Sequence, residues 1–193
     1  MRKNIAGMTV VVGVIVALMA QPLGAQASVP SWTDSDSTTM TIHGFDADVA
    51  AENGFTIITN AEGIQESIPV SDSAKALVVA AAQEGHQNTG TLTYSCGSSW
   101  LTMTRAGSTS VYFNTGFKVY LPTLWHSWAV DMFSSRGGYS VGLDGGPTPP
   151  VWDDGWTINV GSSFGTHGNV RPGSFAVLTN GAFCYSNSPT AGT

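Results

Sequence analysis

The chain has 193 residues, only 10% of them charged, with thirteen acids against seven bases and a formal net charge of −6. An acidic chain without a Lys/Arg cluster cannot neutralise a run of phosphates, so no nucleic acid and no anionic membrane surface is expected as a partner. The length suffices for one domain with a real core, or a domain plus an ordered extension.

In chain order, Arg2 and Lys3 precede the apolar run MTVVVGVIVALMA (Met8 to Ala20), and Ala25-Gln26-Ala27 supplies an A-x-A site. This pattern predicts a secretory signal peptide over 1–27. The apolar run, about 13 residues, is shorter than the roughly 20 that a bilayer-spanning helix needs. The expected product is therefore soluble, secreted and extracellular. Without Arg2 and Lys3, five bases (Lys75, Arg105, Lys118, Arg136 and Arg171) remain against thirteen acids, a net charge of −8.

Residues 28–45, which open SVPSWTDSDSTTMT, are rich in Ser, Thr and Asp and read as a flexible leader. Asp34 and Asp36 suggest a calcium loop, but the other ligands and the closing Glu of that motif are absent. Residues 46–90 read as helix, hairpin and helix. DADVAAENG has acids in its first turn and a Gly stop; FTIIT and IQESIPV flank the turn NAEG; Ser71 or Ser73 caps SAKALVVAAAQEG. HQNTG (86–90) is the expected linker. The segment is too small to be stable alone and could be removed as a pro-segment.

From residue 91 to 193 short β-branched and aromatic runs recur between Gly, Asn, Ser and Pro clusters: TLTYS, SWLTMT, SVYF, FKVYL, LWHSWAVDMF, YSVGL, WTINV, SFAVLT and AFCYS. Such runs without a helical stretch predict a mainly β fold, an antiparallel β-sandwich of jelly-roll type, with the small α+β segment at its N-terminal side. In LWHSWAVDMF, Leu124, His126, Trp128, Val130 and Met132 share one face, and Trp125, Ser127, Ala129 and Asp131 the other. On that apolar face His126 is expected to be a hydrogen-bonded core residue.

Cys96 and Cys184 are the only cysteines, and in an exported chain they are expected to form a disulfide. YSCGSSW (94–100) approaches the CGSCW signature of papain-like cysteine proteases, but Ser99 stands at the nucleophile position. Only 94 residues follow it, too few for the family's distant histidine. GSSFG (161–165) matches the G-x-S-x-G nucleophile elbow with Ser163 at its centre. The following THGNVRPG, interrupted by glycine and proline, cannot form the required helix, and no acid occurs after Asp154. His43, His86, His126 and His167 are scattered singly, without H-E-x-x-H or C-x-x-C, so neither a metal nor another cofactor is implied.

PVWDDGW (150–156) sets Trp152 and Trp156 around Asp153 and Asp154. Sugars are bound by an exposed ring with carboxylates or amides taking the hydroxyls, which makes Trp125, Trp152, Asp153, Asp154 and Trp156 candidate ligand-binding residues. The competing reading places these rings in the core and the aspartates in a D-D-G turn.

VAAENGFTIITNAEG (Val49 to Gly63), CGSSWLTM, NTGFKVY, HSWAV and GAFCYS together resemble a loose group of small secreted proteins from Gram-positive bacteria. The resemblance implies a short polar N-terminal segment and a Cys-bridged all-β half; it implies no activity and no catalytic residue. The first functional expectation is a non-catalytic extracellular protein that binds carbohydrate or another protein. The alternative is a secreted hydrolase using Asp131, Asp144, Asp153 or Asp154 with His126 or His167, which requires at least two of these groups in one cleft.

Overall fold

A computed structural model describes residues 33–83 and 95–193, and side chains from Asp36 onward. The expected signal peptide, the HQNTG linker and most of TLTYS lie outside the described residues. Among the described residues no helix is long and apolar enough to cross a membrane.

The fold is mainly β, as the alternating runs predict. Among the described residues thirteen strands build two packed antiparallel sheets and a separate hairpin, with two short helices. The larger sheet has the strand order β6-β11-β12-β1-β4-β5-β9, with β1 Thr33–Phe45, β4 Ser95–Arg105, β5 Ser110–Val119, β6 Thr123–Ser127, β9 Val151–Asn159, β11 Phe175–Leu178 and β12 Ala182–Ser186. The smaller has the order β13-β10-β7-β8, with β7 Ala129–Ser134, β8 Gly137–Gly142, β10 His167–Val170 and β13 Thr190–Gly192. LWHSWAVDMF is thus two strands. The chain leaves the larger sheet after Ser127, and Trp128, bonded through Nε1 to Thr115 Oγ1 at 3.0 Å, anchors the crossing in the core.

The leader expected over 28–45 is corrected at residues 33–45, which form a central strand paired with β4 on one side and β12 on the other. Its polar composition hides the strand because Asp36, Ser37 and Thr39 face solvent, while among the described side chains of β1 only Met40 and Ile42 are buried. A strand between two partners needs ladder hydrogen bonds, and only one of its faces needs to be apolar.

Helix α1 (Ala47–Glu52) starts at Asp46, whose carboxylate accepts from the amides of Asp48 and Val49. The hairpin β2 (Phe55–Thr59) and β3 (Gln65–Pro69) is closed by Asn60, whose side chain accepts from Glu62 N and Ile64 N. Helix α2 (Asp72–Gln83) is capped by Ser71, which accepts from Ala74 N. This segment is joined to the sandwich. Gly181, at φ +81°, lies so close to Asp46 that a methyl there would stand 2.3 Å from the Asp46 carbonyl oxygen, and Ser67 Oγ donates to Asn180 O. Phe55, Ala50 and Ala74 bury into the same core as the sheets, and the described residues belong to one compact unit.

Cys96 and Cys184 form the expected disulfide, with a Cα–Cα distance of 6.0 Å. They belong to β4 and β12, which flank β1 without pairing with each other. Second neighbours in a flat sheet would lie about 9.6 Å apart, twice the strand spacing. The sheet therefore curls sharply at β1, where bulges at Cys96 and His43 supply the bend. The curl continues to the sheet's ends. Bridges of Thr123 with Thr148 and of His126 with Gly145 bring β6 against the segment that leads into β9.

Candidate functional site

Strands β4, β5 and β9 pair in regular register over their length, so one set of alternate residues faces the core and the other faces out. On β5, Val111, Phe113, Thr115, Phe117 and Val119 are buried. Tyr112, Asn114, Gly116 and Lys118 therefore face outward, beside Trp100 and Thr102 of β4 and Asp153, Gly155 and Thr157 of β9.

The outer face is built around one amide. Trp100 Nε1 donates to Asn114 Oδ1 at 3.0 Å, and Asn114 Nδ2 donates to Asp153 Oδ2 at 3.0 Å and to the Asp154 carbonyl at 3.4 Å. The indole offers only a donor and the carboxylate only acceptors, so the orientation of the Asn114 amide is fixed by its neighbours. Asn114 has no N–H left to give. A second lone pair on its Oδ1 and the Oδ1 oxygen of Asp153, which is exposed, remain open to a ligand.

Two rings lie over glycines on this face. A methyl at Gly116 would come within 2.6 Å of Trp100 Cζ2, and one at Gly155 within 2.8 Å of the Tyr112 hydroxyl oxygen. The Trp100 ring and the Tyr112 hydroxyl thus occupy space that a side chain at each glycine would take, an arrangement by which aromatic residues compensate for glycine in a strand. Trp100 is half-buried and Tyr112 is 42% exposed. Gly116 pairs with Asp153 and Asn114 with Gly155, so the two glycines are diagonal neighbours, about 7–8 Å apart. Trp100 and Tyr112, with the Asn114 amide and the Asp153 carboxylate beside them, form a shallow platform.

The other aromatic residues are arranged differently. On the outer face of β6, β11, β12 and β1, Trp125 meets Phe175 edge-on at 5.1 Å, Phe175 stacks on Tyr185 at 5.0 Å, and Tyr185 stacks on His43 at 4.7 Å. These rings stand in a rank and use their faces on one another, over a Val177 that is buried beneath them. Trp125, 42% exposed, belongs to this rank. Trp152 turns inward against His126 at 4.2 Å and Phe117 at 5.2 Å, as a core residue. Trp156 pairs with Phe113, so it lies on the inner side of β9, at the end of the sheet, where it is 54% exposed. Trp125, Trp152 and Trp156 therefore do not form one surface. Of the five residues expected to bind ligand, Asp153 lies on the platform, and Asp154 contributes its carbonyl to Asn114.

The D-D-G turn expected at 153–155 is corrected: these residues are strand, paired with 114–116. Trp100, Tyr112, Asn114 and the two glycines were not singled out as ligand-binding from sequence. Their signal is the alternation W-x-T on β4, Y-x-N-x-G-x-K on β5 and D-x-G-x-T on β9, which becomes visible once NTG and DDG are taken as strand interior.

The groups that a hydrolase would use are engaged separately. Asp131 is held by Arg171, whose Nε and Nη2 reach it at 3.0 and 2.7 Å, and by Ser140. The guanidinium holds the Asp131 carboxyl below the usual range. Asp144 Oδ1 accepts from Trp128 N at 2.8 Å and lines a cleft of about 170 Å³ beside Arg171 and Ser174; none of the other candidate acids or histidines lines it. His126 is 2% exposed, with Nε2 3.1 Å from the Leu143 carbonyl oxygen, and burial lowers its pKa against the opposing effects of that bond and of Asp144. His167, exposed on β10, stacks on Phe133. Ser163 is fully buried and donates to Gly107 O at 2.6 Å, so it anchors a loop. Burial pushes the Tyr120 hydroxyl up to about 12, leaving it neutral. Among the described residues no three His, Cys, Asp or Glu side chains are grouped as a metal ion would need.

The fold and this face define a disulfide-braced antiparallel β-sandwich with an aromatic and amide platform on its larger sheet. No protein-family model, no curated protein and no solved structure matches the chain.

Proposed function

We propose that this is a secreted, non-catalytic binding protein that holds carbohydrate on the outer face of β4, β5 and β9. The observation that carries this reading is the placement of Trp100 over Gly116 and of the Tyr112 hydroxyl over Gly155, with Asn114 bonded to both Trp100 and Asp153 beside them. A pyranose presents an apolar face to an aromatic ring and its hydroxyls to acceptors at the ring's edge. The platform is open and lies on a sheet rather than in a pocket, which suits an extended chain or an insoluble surface. The pattern of residues 1–27 and the disulfide both support export.

The test is retention of the purified protein on insoluble glycans. The wild-type protein is expected to be retained, Trp100→Ala and Tyr112→Ala to pass through, and Trp125→Ala to behave as wild type because its ring belongs to the stacked rank. Retention that depends on Trp125 and ignores Trp100 would sink this assignment.

A further inference from the structure

We infer that the preferred ligand carries protonated amino groups, as a glucosamine polymer does, rather than being a neutral or acidic glycan; this rests on the carbohydrate reading above. The warrant is the hydrogen-bond inventory of the platform. Both N–H groups of Asn114 are committed, one to Asp153 and one to the Asp154 carbonyl. Thr102 Oγ1 donates to Asn114 O at 3.3 Å. What remains open on the Asn114–Asp153 pair is acceptor, Asp153 Oδ1 and the second lone pair of Asn114 Oδ1, while the exposed Tyr112 hydroxyl can donate or accept. A ligand group that meets the Asn114–Asp153 pair must donate.

Charge narrows the choice further. Asp153 is exposed, and among the described residues no cation of the protein pairs with it. Lys118, the cation on this face, sits opposite Val151, one diagonal step away from Asp153. A sugar hydroxyl satisfies the carboxylate's hydrogen-bonding capacity but leaves its charge. An ammonium satisfies both, through a charge-assisted bond. A uronic acid would set a second carboxylate against the first. The chain's net charge of −6 adds a long-range attraction for a polycation and a repulsion for a polyanion.

The experiment is calorimetric titration of the full protein, at low salt and below the pKa of the amine, with three linear oligosaccharides of equal length: glucosamine, N-acetylglucosamine and a uronic acid. Glucosamine is expected to bind about two- to five-fold more tightly than its N-acetylated counterpart, the worth of one exposed ion pair, and the uronic acid most weakly. Asp153→Asn keeps an oxygen for the Asn114 amide. It is expected to abolish the advantage of glucosamine over the N-acetylated chain, with an unchanged thermal transition showing that it folds. Equal or weaker binding of glucosamine, with the N-acetylated chain still bound, overturns the inference and leaves the carbohydrate reading standing. An advantage that survives Asp153→Asn also overturns it. Absence of binding to all three overturns both.

Discussion

Replacing Cys96 and Cys184 together by alanine removes the brace that holds β4 and β12 at 6.0 Å across β1. The bridge closes a loop with a sequence separation of 88 residues. The chain-entropy relation for a cross-link of that length gives about 4.6 kcal/mol at room temperature. That is a large share of the 5–15 kcal/mol typical of a domain's whole stability. For a chain of this size each kcal/mol corresponds to about 2–4 °C, so the transition should fall by roughly 9–18 °C. The assay is thermal and urea unfolding of the wild-type and doubly substituted proteins, with the reduced wild type as a second perturbation. A loss below about 1 kcal/mol would refute the reasoning, because it would mean that the curl at β1 is fixed by packing alone and that the unfolded chain gains little freedom when the bridge is cut.

Two further perturbations probe the platform and the closure of the sheet. Gly116→Ala places a methyl 2.2 Å from the Trp152 carbonyl oxygen and 2.6 Å from Trp100, so it should cost about 1–3 kcal/mol by overpacking and weaken glycan retention; an unchanged unfolding midpoint with full retention contradicts the ring's placement. His126 has its pKa lowered by burial, so below the unfolded value of about 6.5 the unfolded chain binds the extra proton first. Its contribution to stability is full above that value and is lost as pH falls through the folded value, at up to about 1.4 kcal/mol per pH unit. Denaturant midpoints measured across that range should therefore fall more steeply for wild type than for His126→Gln, and equal slopes would show that the ring is not neutral in the folded state.

Much of the fold was legible in the sequence, because its dominant signal is hydrophobic alternation. SWLTMT and AFCYS lie wholly on strands and YSVGL and SFAVLT all but their end residues, Asp46 and Ser71 cap their helices, and the two cysteines are bridged. The parity of LWHSWAVDMF correctly turned His126 and Trp128 inward, although the run divides between two sheets. What escaped was strand made of residues that usually mark turns. NTG separates SVYF from FKVYL in the sequence, yet it is the middle of β5, where Asn114 serves Trp100 and Gly116 makes room for the indole. DDG is the middle of β9 for the matching reason, since Gly155 lies under Tyr112. TDSDSTT of β1 carries almost no apolar signal, and its strand state follows from its pairing with β4, while β12 pairs with the later half of the strand from Met40 onward. The platform was missed with them. Its glycines are informative only in relation to rings on neighbouring strands, and that relation is a property of register that single runs do not contain.

The central claim, that Trp100 and Tyr112 form a carbohydrate platform with Asn114 and Asp153, is tested most directly by the indole N–H resonances during titration with a glucosamine oligosaccharide. Trp100 Nε1–H bonds to Asn114 on the platform, whereas Trp128 Nε1–H is buried against Thr115. The signal of Trp100 should move progressively to saturation while those of Trp128 and Trp125 stay in place. Saturable binding that leaves the Trp100 signal unmoved and shifts another indole would contradict the claim.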